Sequence, residues 1–310
     1  MNAPTVSSAP SARAAAGRFT PAKLASVLAS VCAATGLDPE GATLLRFTTN
    51  AVYRLAGQPV VIRIAASWGL RHRVAKVVKV ANWLAGEDFP SVRLLAGVEQ
   101  PVRVGDYLAT VWDEVPTTGY RPTTRDLATL LRRLHDLPRP AFDLPAWAPL
   151  DDVARRIADA EELAEDDREF LEERRAVLAG QLTTLEYPLP PSVVHGDAHL
   201  GNLIPGPDGP VLCDFDSTSW GPPEWDLTPV LVAQRRFGGS VRESRTLLRS
   251  YGFDVTKWPG FEVLRQVREL KLVTSVLPIL RSNPDVAPEL HRRLAGVRSG
   301  DAGARWSRYR

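Results

Sequence analysis

The chain has 310 residues, 44% hydrophobic and 24% charged, enough for two modest lobes with real cores, which excludes a disordered tail, a fibrous repeat and a mini-protein. A formal charge of +2 gives no electrostatic case for a nucleic-acid or membrane partner. No run approaches the roughly 18 uncharged apolar residues of a membrane span, and the opening MNAPTVSSAPSARAAAGR has no apolar signal core. Cys32 and Cys213 lie far apart in apolar contexts, which makes neither a disulfide framework nor a metal knuckle and points to a reducing, cytoplasmic setting. All but five of the 38 basic residues are arginine, a bias that fits coding composition better than chemistry.

Residues 1–18, rich in Ala, Ser and Pro without an apolar period, are expected to be a disordered tail. Thr20 then caps a helix with Pro21 at its first position, and Leu24, Val27, Leu28 and Val31 recur at helical spacing until Gly36. Three strands follow, Thr43–Thr48, Ala51–Leu55 and Val60–Ile64, the last two joined by the turn Ala56–Pro59. Arg71–Ala85 is the next helix, with Val74, Val77, Val78, Ala81 and Leu84 on its apolar face and Gly86 at its end. Two more strands are expected at Val92–Ala96 and Tyr107–Val115, which completes a small sheet-based lobe over residues 19–115.

From Pro116 onward helical patterns dominate. Thr124 caps Arg125–Asp136, an acidic stretch runs from Asp151 to Gly180, and helices are expected at Asp226–Arg236, Ser240–Tyr251 and Phe261–Leu280. Short strands interrupt them at Ser192–His195, Asn202–Ile204 and Val211–Cys213, around the turn Pro205–Pro210. Residues 116–310 thus form a larger, mainly helical lobe, and the fold class is α+β and bilobal.

The chemistry is concentrated in Val193-Val194-His195-Gly196-Asp197-Ala198-His199-Leu200-Gly201-Asn202, followed after one hairpin by Cys213-Asp214-Phe215-Asp216. A strand delivers Asp197 on a loop, Asn202 stands five residues on, and the hairpin returns Asp214 beside them. Magnesium binds through one or two carboxylates, water and substrate phosphates, and Asn202 with Asp214 is that kind of partial set. Asp197 is left to face a nucleophile, as one carboxylate does in phosphoryl transfer.

The spacing His195-Gly196-Asp197-x4-Asn202 with Asp214-Phe215-Asp216 resembles the aminoglycoside phosphotransferase and choline kinase group, small-molecule relatives of the protein kinases. Asn50–Arg54 and Val60–Ile64 are similar to the group's first hairpin and its third strand, and Leu130–His135 and Gly221–Leu227 also look like segments of it, in the same order. The resemblance implies a protein-kinase-like fold with a small β-sheet N-lobe that binds nucleotide and a larger C-lobe that carries catalysis and acceptor. It implies ATP, with GTP as the alternative nucleotide, and Mg²⁺. Asp197 is then the catalytic base or hydroxyl-orienting residue, Asn202 and Asp214 the metal ligands, with Asp216 a further candidate ligand. Arg63 holds nucleotide phosphates, Thr48, Thr49 and Asn50 form the loop over them, and backbone groups near Asp113 and Val115 meet the base. His195 and Asp226 are structural members of the site.

The acceptor implied is a small polar alcohol, with cationic aminoglycosides, amino sugars and other antibiotics as examples and antibiotic resistance as one role. Trp147, Trp220, Trp225 and Trp258 are candidates to line its pocket, and Glu224, Arg268, Glu269 and Lys271 to touch it, against the plainer readings of core filling and solvated helix. The stretch Asp151–Arg174 holds eleven acidic residues and four arginines; it is either a solvated helix with internal ion pairs or a negative wall for a cation. Residues 41–86 hold seven basic residues and no Asp or Glu, so Arg63 lacks the helix carboxylate that kinases pair with this strand residue, unless Glu87, Asp88 or the other lobe reaches it. Two other classes remain open: a nucleotide- or partner-binding module without turnover, and a metallohydrolase using His195-x-Asp197-x-His199. A monomer or homodimer is expected, and Arg305, Arg308 and Arg310 read as a solvated basic end.

Overall fold

The computed structural model describes residues 19–47, 50–65 and 67–309; the tail expected over 1–18 lies outside them. Helix α1 spans Pro21–Thr35, with the Thr20 hydroxyl accepting from the Lys23 amide and Gly36 ending it at φ 69°. Its buried face, Leu24, Val27, Leu28, Val31 and Cys32, packs under an antiparallel sheet. The strands are β1 (Thr43–Phe47), β2 (Asn50–Arg54) and β3 (Val60–Ala65), then β4 (Val102–Val104) and β5 (Tyr107–Asp113), in the order β1-β2-β3-β5-β4. In β3 the alternation buries Val60, Ile62 and Ile64 and turns Arg63 to the opposite face, level with Val52 and Thr110.

Helix α2 (Arg73–Gly86) lies between β3 and β4 in sequence and buries Val74, Val77, Val80, Ala81 and Leu84. Val74, Val77, Ala81 and Leu84 are buried as expected, Val80 joins them, and Val78 is only half-buried at the edge of the face. Several of these side chains join a core with the helices of the second half, so α2 joins sheet to helices. The expected strand Val92–Ala96 does not pair along its length. Val92 donates to Leu212, Leu212 donates to Pro90, and Leu95 donates to Val111, so this segment crosses from a later hairpin to the sheet. The short strand β4 was not foreseen; β5 pairs with β3 on one side and with β4 on the other.

The helical half begins with α3 (Thr124–His135), whose cap is Thr123 rather than Thr124: Thr123 and Asp126 form a reciprocal capping box, while the Thr124 hydroxyl donates to the Glu243 carbonyl. Helices α4 (Pro149–Ala158) and α5 (Glu165–Thr183) replace the single acidic stretch. Next come strand β6 (Ser192–Val194), the hairpin β7 (Leu203–Gly206) and β8 (Gly209–Leu212), and β9 (Ser219–Gly221), an unforeseen partner of β6.

Helices α6 (Glu224–Phe237), α7 (Val241–Tyr251) and α8 (Phe261–Thr274) follow; α8 stops six residues short of Leu280 and gives way to a tight turn at Leu277–Ile279 containing Pro278. An unforeseen helix α9 (Ala287–Arg298) sends Arg293 among the rings of Phe237, Trp306 and Tyr309, and the Trp306 amide donates to the Arg236 carbonyl. Trp306 thus anchors the end of the chain, while Arg305 and Arg308 stay exposed as a solvated basic end would, Arg305 donating to the Gln234 and Arg235 carbonyls; Arg310 lies outside the described residues. Among the described residues no helix is long and apolar enough to cross a membrane.

Candidate active site

The loop after β6 is built around one buried carboxylate. Asp226, fully buried in the first turn of α6, accepts from the amides of His195 (2.6 Å) and Gly196 (2.7 Å) and meets Nε2 of His135 at 3.0 Å. Gly196 sits at φ 82°, and a Cβ there would lie 2.2 Å from the Ser217 carbonyl oxygen, so backbone passes where no side chain fits. Trp225 donates from its indole to the Gly196 carbonyl at 2.9 Å.

His195 is fully buried, its Nδ1 accepting from the Asp197 amide (3.2 Å) and its Nε2 meeting the Cys213 carbonyl (2.9 Å). That pair of contacts assigns the proton to Nε2. Both ring nitrogens are thereby engaged with backbone, and His199 Nδ1 accepts from the Gly201 amide. The metal triplet considered for His195, Asp197 and His199 does not assemble, and no three His, Cys, Asp or Glu side chains among the described residues are gathered to hold an ion.

Asn202 donates its side-chain amide to the Asp197 carbonyl (2.8 Å), which leaves its Oδ1 as an acceptor for another group. Its own carbonyl accepts from the Cys213 amide (3.0 Å), which holds the hairpin's return beside the loop. Asp214 follows in the left-handed region at φ 69°. Asp197, Asn202 and Asp214 line one cavity of about 1070 Å³ between the sheet and the helices, and Arg63 lines it from β3.

The partner of Arg63 comes from the other half of the chain. Its Nη2 reaches Asp214 Oδ1 at 3.2 Å and pairs with Asp216 Oδ2, to which Asn50 also donates at 2.9 Å. Helix α2 carries no carboxylate for Arg63; its Lys76 Nζ donates to the carbonyls of Asp216 (2.7 Å) and Thr218 (2.8 Å). Burial, reinforced by Arg73, brings that ammonium down to about 7.

The two neighbouring carboxylates divide. Burial pushes Asp216 up, but Arg63 and Arg73, with hydrogen bonds from Arg63 and Asn50, outweigh it and hold the carboxyl at about 2. Asp214 rises, through burial and then the charges of Asp216 and Asp197, against Arg63. Arg63 thus bonds two part-buried carboxylates, and Asp214 with the free Oδ1 of Asn202 makes the kind of oxygen donor set that fits a divalent cation.

On the far side of Asp197 the surroundings are basic. Arg268 Nη2 from α8 stands 2.5 Å from Asp197 Oδ1, although that oxygen accepts no aligned hydrogen bond. Burial raises the Asp197 carboxyl, but Arg268, His199 and Lys271 overcome it and hold the group well below the usual range. His199 is lowered to about 4, by burial first and then by Arg268 and Arg46 against the pull of Asp197.

Several expected acceptor residues point elsewhere. Trp220 lies on β9 beneath the Arg139 guanidinium, Glu224 is fully buried and accepts from the Leu189 amide (2.7 Å), and Glu269 pairs with Arg236 and Arg265 inside the helical core. None of the three lines the cavity, and neither do Trp147, Trp225 and Trp258, whereas Arg268 and Lys271 do. Arg156 lines it too and was not foreseen. The acidic residues of α4 and α5 are absent from its wall, so the stretch does not supply this cavity with a negative wall for a cation. Asp113 and Val115 both line the cavity, but the Asp113 amide is bonded to the Arg93 carbonyl (3.0 Å). Thr48 and Thr49 lie outside the described residues.

A family model described as the phosphotransferase enzyme family matches residues 45–267. Similar solved structures include the aminoglycoside phosphotransferase APH(3'')-Id from Streptomyces rimosus, at 21% identity and a TM-score of 0.61, with 81% of this chain and 99% of that one covered. Choline kinase LicA from Streptococcus pneumoniae matches at 14% identity and a TM-score of 0.59, over 88% and 99% of the two chains. Amicoumacin kinase hAmiN, solved with AMP-PNP, Ca2+ and Ami, matches at 13% identity and a TM-score of 0.59, over 87% and 91%. No curated protein sequence matches. The structural likenesses show the fold: a small antiparallel sheet followed by a mainly helical half, in the kinase-like α+β arrangement expected from the sequence.

Proposed function

Because the chain belongs to the phosphotransferase enzyme family, we propose that it transfers the γ-phosphoryl group of ATP, with Mg²⁺, to a hydroxyl of a small polar molecule. The observation that carries this reading is the convergence of Asp197, Asn202, Asp214 and Arg63 on one cavity from a strand-ended loop, a hairpin and β3. Residues 19–115 form the nucleotide-binding lobe in this reading and residues 116–310 the catalytic and acceptor-binding lobe. The AMP-PNP and cation in the amicoumacin kinase structure support a nucleotide in the cleft, with GTP as the alternative. The two free cysteines support a reducing, cytoplasmic setting.

Asn202 through Oδ1 and Asp214 through its carboxylate would hold the metal, with Asp216 as a further candidate. When bound, Mg²⁺ neutralises charge on the phosphate oxygens. Arg63 is a permanently charged fork that shifts from its carboxylates toward incoming phosphate without losing its proton. Asp197, held far below the usual range, stays ionised and accepts a hydrogen bond from the acceptor hydroxyl. That aligns the oxygen with phosphorus and receives the proton as bonding to phosphorus is completed, the late transfer that a loose phosphoryl transition state permits. Asp226, His195 and Trp225 fix the loop that carries Asp197.

The test is calorimetric titration of ATP and GTP into the protein with and without Mg²⁺, repeated on Asp214→Ala and Asp197→Asn. Magnesium-dependent binding that weakens in Asp214→Ala and survives in Asp197→Asn is the expected pattern. Absence of nucleotide binding, or the same affinity in Asp214→Ala, refutes the assignment.

A further inference from the structure

Beside Asp197 the cavity wall carries a buried cluster of charge in which cations outnumber carboxylates. Helix α2 supplies Arg73, α4 supplies Asp152 and Arg156, and α8 supplies Arg268 and Lys271, all of them buried. Arg73 pairs with Asp152 Oδ1, and Lys271 Nζ lies 3.4 Å from Asp152 Oδ2 and 5.5 Å above the Trp225 ring. Arg156 donates through Nη1 to the Lys271 carbonyl (3.1 Å), and Arg268 faces Asp197 at 2.5 Å.

Asp152 and Asp197 thus face four cations, and the third carboxylate nearby, Asp216, is already bonded to Arg63. The Nε donors of both Arg156 and Arg268 have no hydrogen-bond partner although the side chains are more than nine-tenths buried. Buried guanidinium nitrogens without partners cost free energy, and they show that the chain itself does not satisfy these two side chains. Burial and the three arginines bring Lys271 down to about 8, the mark of a crowded positive site. Arg156, Arg268 and Lys271 all line the cavity. Nucleotide phosphate is already answered by Arg63, which approaches Asp214 and Asp216 from the sheet, whereas this cluster approaches Asp197 from the helices.

We infer that the acceptor is an anion: a small alcohol that also bears a carboxylate or phosphate group, held by Arg156, Arg268 and Lys271 with its hydroxyl toward Asp197. This rests on the phosphotransferase reading above. A guanidinium fork matches the paired oxygens of either anion, and two forks with an ammonium discriminate against a cationic alcohol through like-charge repulsion. In the reaction the acceptor oxygen forms a bond to the γ-phosphorus as the bond from that phosphorus to the β–γ bridging oxygen breaks. ADP departs with the electron pair of the broken bond, and the hydroxyl proton passes through Asp197 to water.

The probe is sulfate, titrated calorimetrically into the protein saturated with Mg²⁺ and AMP-PNP, with chloride at matched ionic strength as the blank. One saturable sulfate site is expected, weakened at least tenfold in Arg156→Gln and in Arg268→Gln. Should either variant prove unfolded by circular dichroism, Lys271→Met replaces it, with the same loss expected. No saturable sulfate binding in the wild-type protein, or unchanged affinity in a folded variant, overturns the inference. The two readings fail separately: if AMP-PNP does not bind, the kinase assignment falls, while sulfate titrated into the nucleotide-free protein and its Arg156→Gln variant still reports on the anion site.

Discussion

Replacing Asp226 by asparagine removes charge from the carboxylate that organises the catalytic loop while keeping its shape. In the wild-type protein its two oxygens take the His195 and Gly196 amides and face His135, all in a fully buried place. Asparagine keeps one oxygen, which satisfies one amide, and turns an NH₂ group toward the other donors. A hydrogen bond to a charged group contributes about 1.5–3 kcal/mol, and a buried donor left unmet costs about 1–3 kcal/mol. One bond weakened by loss of charge and one amide opposed by another donor together give a destabilisation of about 2–4 kcal/mol, against a total stability of about 5–15 kcal/mol. By the scaling for large domains that lowers Tm by roughly 5–15 °C.

Urea unfolding followed by the summed fluorescence of the eight tryptophans measures the loss of global stability, with Trp225, which donates to the Gly196 carbonyl, among them. Amide exchange at residues 195 and 196 should speed up with the loss of stability. A midpoint shift equivalent to less than about 1 kcal/mol, with unchanged protection at those amides, would mean that Asp226 does not hold the loop and would refute the reasoning.

Gly196→Ala should yield insoluble or loop-disordered protein, because the new Cβ would collide with backbone at Ser217 and the φ of 82° disfavours any L side chain; near-native solubility and Tm would contradict this. Arg63→Ala strips both Asp214 and Asp216 of their bonded guanidinium, leaving Asp216 with the more distant Arg73, and should cost about 2–3 kcal/mol, less than the full cost of breaking a deeply buried pair. Added Mg²⁺ should raise the Tm of that variant by more than it raises the wild-type value, and an equal rise in both would argue that the ion binds elsewhere.

Lys271 sets a pH dependence. Burial, then Arg156 of α4, Arg73 of α2 and Arg268 of its own helix, hold the ammonium at about 8 in spite of Asp152, against 10.5 for a lysine free in water. Below pH 8 both states carry the proton and the cost of the buried charge is fully present. Between 8 and 10.5 the folded state releases a proton that the unfolded state keeps, so stability rises with pH by up to about 3 kcal/mol. The difference in urea midpoint between wild type and Lys271→Met should therefore change between pH 7.5 and pH 10, and a constant difference would refute the assignment.

What could be read from the sequence were features carried by neighbours in the chain. Thr20, Pro21 and Gly36 bound α1 by local chemistry, and the alternation of Val60, Ile62 and Ile64 places Arg63 on the opposite face. The return of Asp214 beside Asn202 needs only one hairpin. The three-residue strands β4 and β9 escaped because their pairing depends on residues brought from elsewhere in the chain. Glu224 and Glu269 were misplaced because each finds its partner over a long loop of sequence, the Leu189 amide and the Arg236 guanidinium.

The basic cluster left a trace that a default reading of helix charges hides. Asp152 and Arg156 are four residues apart on the stripe of Val153 and Ile157. Likewise, Arg268 follows Leu264 by four and Lys271 follows Val267 by four. Charges at core positions of a helical repeat signal a buried polar site, because such groups are seldom enclosed without a partner.

Lys76 joins α2 to the loop after Asp214 by way of two carbonyl oxygens rather than two side chains. Carbonyls are common to every amino acid, so residues 216 and 218 can vary without severing the tie, and correlated substitution between the two halves would not reveal it. The joint is vulnerable at one end only. Its failure would show as a single intolerant lysine on an otherwise ordinary helix, with no compensating partner to be found anywhere in the sequence.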